Sequence, residues 1–174
     1  MNDHALMTLL GIASIATAIS GFSGIVAVFS GRSDGKWPPA ERFRTTNMLI
    51  LSLGACLLSF VPLIEEFFRV PDPMLWTVAS AGLLVFSLLY FARTVIALRS
   101  PELRRPGVLV LWVRYVYFAC LFAAIALQVC NVAGFGFARG AGPFMAGLAF
   151  TLIPAGLQFA FLVLTPLNAA DRGA

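Results

Sequence analysis

Two arginines, Arg93 and Arg114, lie inside apolar stretches of the chain, and an arginine at that depth can favour anions or grip a phosphate. Arg93 comes five residues before Leu98 and Arg114 six after Val108, so on adjacent antiparallel helices both sit roughly 8 to 9 Å from one membrane face. The pair is a candidate inner mouth of a pore, or a candidate site for a lipid phosphate. The plainer account is snorkelling, with long stems on lipid or protein and guanidinium groups at the interface. Glu65 and Glu66 close another apolar stretch and form a candidate outer mouth, because a ring of carboxylates from several copies would concentrate cations. Arg69 follows them by four and three residues, which offers an ordinary intrahelical ion pair if the helix continues that far.

A third pattern is uncharged. Ser14, Thr17, Gly21 and Gly24 recur at steps of three and four, which places them on one helical face as a candidate pore lining, while Ala16, Ser20 and Gly24 form a small-xxx-small ladder. Close helix packing is the plainer use of such a face. Gln128 and Asn131 share a face of their own helix, and Gln158 lies one turn after Pro154; interhelical hydrogen bonding accounts for all three. Thr45, Thr46 and Asn47 are expected to cap the start of a helix.

The remaining chemistry is thin. His4 is the sole histidine and lies ahead of the first apolar run, so one chain lacks the intramembrane histidine pair of a b-type haem, and a serine or cysteine nucleophile has no imidazole base in the membrane. Lys36, the sole lysine, falls in a loop, which excludes a retinal Schiff base within a span. Asp3, Asp34, Asp72 and Asp171 are scattered and form no cluster for a metal-dependent head-group transferase; Glu65 and Glu66 point about 100° apart on a helix. Cys56, Cys120 and Cys130 sit in apolar runs without a CxxC pair, against a disulfide framework or a zinc site. No catalytic residue, cofactor or metal site is predicted, and the expectation is a protein that is not an enzyme.

These residues are carried by elements that composition makes plain. Of 174 residues, 60% are hydrophobic and 11% charged, with a mean hydropathy of +0.90, whereas soluble domains carry about 25% charge. Five runs are long enough to cross the roughly 30 Å hydrocarbon layer, at 5–30, 46–64, 74–98, 108–133 and 144–165. They lack the alternation of barrel strands, so the prediction is an all-α integral membrane bundle of five transmembrane helices forming a single domain over 1–174. Pro38 and Pro39, Pro71 and Pro73, and Pro101 and Pro106 punctuate the loops. Gly142-Pro143 opens the fifth span and Pro166 is expected to stop it. The first run has no Lys or Arg before it and reads as a retained helix rather than a signal peptide.

Charge orients the bundle. Ten Lys and Arg with four acids fall at the loops after the first and third spans and at the tail, against two arginines with four acids on the other side. The positive-inside rule then puts the amino terminus outside and the carboxyl terminus in the cytoplasm. Trp76, Phe67 and Phe68 are expected at the outer boundary, and Trp37, Tyr90, Trp112, Tyr115 and Tyr117 at the inner one. Counting at ~1.5 Å per residue puts Thr17, Cys56, Phe86, Leu121 and Ala155 at the midplane, so no carboxylate, imidazole or amine is expected where proton relays need one. The stretches 21–29 and 37–44 resemble small bacterial multi-pass proteins in general style, which implies the inner (plasma) membrane. The basic surplus is dispersed among loops, so no nucleic acid is an expected partner; the lipid bilayer is one, with a homo-oligomer and a membrane-protein partner as the others. The leading expectation is a homo-oligomeric pore for ions or small solutes, and the alternative is a non-catalytic accessory or structural subunit of a larger membrane complex.

Overall fold

A computed structural model describes residues 3–30, 39–100, 108–136 and 139–170. They form five helices, α1 (Asp3–Ser30), α2 (Pro39–Phe67), α3 (Asp72–Ala97), α4 (Val108–Ala133) and α5 (Ala141–Ala170). Each contains a stretch long and apolar enough to span a membrane. The chain is an all-α multi-pass membrane protein.

Two boundaries depart from expectation by more than three residues, and both fall at prolines. α2 starts at Pro39, seven residues earlier than the apolar run, because proline in a first turn forfeits only an N–H that has no helical partner anyway. Thr45, Thr46 and Asn47 are therefore interior to the helix and do not cap it. α5 runs through position 166 to Ala170, so Pro166 does not end the helix; neither Pro62 nor Pro154, both inside spans, breaks its helix either. In a bundle the carbonyl that a proline frees can be satisfied by neighbours, which is why membrane helices tolerate the residue.

The two short connections on one end are built alike. Val70 N–H donates to Glu65 O at 3.2 Å and Arg69 N–H to Glu66 O at 2.9 Å, the paired bonds of a Schellman ending, with Arg69 left-handed at φ 53°. At the end of α4 the same six-to-one bond runs from Phe135 N–H to Cys130 O at 3.0 Å, and the left-handed position is Gly134, φ 69°. Pro71 and Pro73 then start α3 by closing off any continuation of α2.

Successive helices alternate in direction. Asn47 near the start of α2 meets Arg93 near the end of α3, Tyr90 late in α3 meets Tyr117 early in α4, and Phe22 and Phe159, both late in their helices, pack together across α1 and α5. One end of the bundle thus carries Asp3, Glu65, Glu66 and Asp72, and the other carries Arg42, Arg44, Arg93, Arg99 and Arg114 among the described residues. Lys36, Trp37 and the other charged residues of 31–38, 101–107 and 171–174 lie outside the described residues, as does the Trp112 side chain.

α1 packs on α2 and α5, while α3 packs on α4 and touches α2 and α5. Ala5, Leu9 and Ala16 of α1 join Ala55, Leu75, Trp76, Leu83 and Phe144 in a first core. Met48, Leu51, Tyr90, Tyr117, Leu121 and Ala155 form a second, nearer the basic end. Gly54 is what lets α2 approach α3: a Cβ there would run into the Phe86 ring. The midplane residues meet as counted, with Thr17 Oγ1 3.4 Å from Cys56 Sγ and Phe86, Leu121 and Ala155 in one cluster.

Candidate functional site

Asn47 and Arg93 are the first polar contact across helices. Arg93 Nη1 donates to Asn47 Oδ1 at 2.6 Å, joining α3 to α2. Arg93 is half-buried and Asn47 fully buried, so this arginine is held by protein rather than left to snorkel alone. One turn inward, Tyr117 donates its hydroxyl proton to Tyr90 Oη, and Thr94 Oγ1 lies 3.1 Å from the Tyr117 oxygen, placed to donate to it. Tyr90 and Tyr117 are almost wholly buried, which corrects their placement as interface markers; Tyr115, two residues away, is the exposed one. Tyrosine at this depth packs its ring into the second core while its hydroxyl finds a partner.

Several buried groups near this layer have none. Thr45 Oγ1, Asn47 Nδ2, Ser87 Oγ and Gln158 Oε1 make no hydrogen bond, although buried polar groups are normally paired. Ser87, Tyr90 and Thr94 are spaced to share one face of α3, and all three are buried. Sequence reasoning missed this column because serine, threonine and tyrosine are unremarkable singly; the signal was their common helical face, continued by Arg93 at its edge.

The amides of α4 serve the other end. Asn131 Nδ2 donates to Ser80 Oγ at 2.7 Å and to Gly140 O at 3.1 Å, and its Oδ1 accepts from Gly140 N–H at 3.0 Å. Gln128 Nε2 donates to Pro143 O at 2.9 Å, and Gly147 leaves room for it, since a Cβ there would collide with that amide. Both act as the glue expected of them, tying α4 to the start of α5 and to α3.

On α1, Ala5, Leu9, Ala13, Ala16 and Ser23 turn inward, and Ser14, Thr17 and Gly21 turn outward with Gly24 at their edge. A Cβ added at Gly21 or Gly24 meets nothing within 4 Å. Ser14 and Thr17 spend their protons on their own helix, donating to Leu10 O and Ala13 O, both at 2.8 Å. The same outward stripe is apolar above and below, with Met7, Leu10, Ile25 and Val28 exposed. Glu65 and Glu66 sit at the acidic end of α2, which ends at Phe67, two residues before Arg69. Glu65 Oε2 is buried without a hydrogen-bond partner. Trp76, expected at the outer boundary, is buried against Phe144 with ring centroids 6.1 Å apart, leaving Phe67 and Phe68 exposed there.

The fold brings Arg93 to Asn47, and the three candidate groups stand on different helices, the lining on α1, Glu65 and Glu66 on α2, and Arg93 and Arg114 on α3 and α4. α1 lies against α2 and α5, whereas Arg93 and Arg114 belong to α3 and α4. Among the described residues no three His, Cys, Asp or Glu side chains gather as a metal site. No protein-family profile, curated protein or solved structure matches the chain.

Proposed function

We propose that the protein is a non-catalytic subunit of a larger membrane complex, joined to its neighbours through the outward face of α1. The observation that carries this reading is the open space over Gly21 and Gly24 on the least covered helix: 22% of the α1 span is buried, against 33% to 44% in the other four. Small residues let a second helix backbone approach closely, and in lipid such packing is a main source of association. The hydroxyls of Ser14 and Thr17 are already satisfied within α1, as a dry helix contact requires.

The homo-oligomeric pore is the second reading, and one observation favours it: those two hydroxyl oxygens still have acceptor capacity and would face the axis if copies met through α1. It is the weaker of the two because Met7, Leu10 and Val28 extend the same stripe with apolar bulk.

The test is the native mass of the complex after gentle extraction, in the unsubstituted chain and in Gly21→Leu. A Cβ at that position meets nothing within 4 Å, and circular dichroism of the variant separates loss of assembly from loss of fold. A complex with a different membrane protein that dissolves in the variant supports the subunit reading. A closed ring of identical copies transfers support to the pore and calls for flux measurements; a monomer in its own membrane overturns both.

A further inference from the structure

Arg93 is tied to a buried amide whose own donor is unpaired. Asn47 Oδ1 takes one proton of the guanidinium, and Asn47 Nδ2, the other half of the same amide, is buried without a partner. Arginine offers five N–H donors in a planar fork suited to phosphate, Asn47 takes one of them, and the Arg93 residue is only half-buried. An acceptor-only, negatively charged group fits that fork.

The direction of approach identifies its source. On α3, Tyr90 and Thr94 turn into the bundle, whereas Leu89 and Ile96, one turn to either side of Arg93, are largely exposed on the hydrocarbon side. Arg93 stands on the border between the two faces. Around it the described basic end carries Arg42, Arg44, Arg99 and Arg114 against Glu41, a field that attracts net-negative head groups and disfavours the ammonium of a zwitterionic lipid.

We propose that Arg93, held in place by buried Asn47, binds the phosphate of an anionic phospholipid between α2 and α3 at the basic end, with its acyl chains along Leu89 and Ile96. The site lies on a different side of the bundle from the α1 face and stands independently of what α1 contacts.

The experiment reconstitutes the full chain in nanodiscs with equal amounts of phosphatidylglycerol and phosphatidylcholine, re-extracts it in mild detergent, and counts the phospholipid retained per chain by mass spectrometry. The unsubstituted protein retains phosphatidylglycerol in preference to phosphatidylcholine. Asn47→Asp sets a carboxylate on the Arg93 guanidinium in place of the amide oxygen, so that the charge is met inside the bundle, and lowers that retention about tenfold, the loss of one charge-assisted hydrogen bond. Arg93→Gln removes the charge without emptying the position and gives the same loss should the aspartate variant not fold. Arg139→Gln, an exposed arginine of the opposite end, leaves retention unchanged. Equal retention of both lipids by the unsubstituted protein, or undiminished phosphatidylglycerol in both site variants, overturns the proposal in favour of the rim's general field. A thermal stabilisation by inorganic phosphate alone, lost in Asn47→Asp, assigns the site to free phosphate and overturns the lipid.

Discussion

The hydroxyl of Tyr117 links two other hydroxyls inside the bundle, Tyr90 and Thr94, while its ring packs on Tyr90 and Phe118 with centroids 6.0 and 5.7 Å away. The two contributions separate by substitution. Tyr117→Phe keeps the ring and loses about 1 kcal/mol, the size of an interhelical hydrogen bond in a membrane protein, whereas Tyr117→Ala opens a cavity and loses about 3 kcal/mol. Unfolding of both variants in mixed micelles reads the difference. Equal losses would mean that the hydroxyl chain, not the ring, holds α3 to α4.

The helix ends make a matched pair of predictions with opposite signs. Gly134 adopts a left-handed conformation that costs other residues about 1 kcal/mol, and a Cβ there would also lie 3.2 Å from Arg139 Nε, so Gly134→Ala destabilises by about that amount. Arg69 already carries this strain at φ 53°; Arg69→Gly stabilises by about 0.5 to 1 kcal/mol. Thermal unfolding of the two variants checks both, and a destabilised Arg69→Gly would assign the arginine a role other than ending α2. The existence of five helices and the bounds of α4 could be read from apolar run length alone, because hydrocarbon thickness sets it. The start of α2 could not, since its first turns carry Glu41, Arg42 and Arg44, and helical backbone continues past the apolar layer wherever its end groups reach water. That error hid Asn47: counted from an apolar start it sat at a cap, and counted from Pro39 it faces Arg93. The Tyr90–Tyr117 pair was hidden for another reason, because tyrosine belongs equally well at an interface and in a core where its hydroxyl has a partner.

For the whole bundle, the alternating helix directions turn the charge asymmetry into a statement about sidedness. The acids at the start of α1, the end of α2 and the start of α3 collect on one end, and the described arginines other than Arg69 and Arg139 collect on the other. The positive-inside rule then predicts that the basic end faces the cytoplasm. The measurement is labelling of single cysteines in a chain with Cys56, Cys120 and Cys130 replaced by alanine. Phe135 is exposed at the acidic end and Arg99 at the basic end. A membrane-impermeant maleimide reaches Phe135→Cys in intact cells and reaches Arg99→Cys only after permeabilisation. The result bears on the phosphate site as well, since anionic lipids concentrate in the cytoplasmic leaflet. The reverse labelling pattern would turn Arg93 and Asn47 toward the leaflet poorer in such lipids, and the basic end would then need a soluble acidic partner to explain its charge.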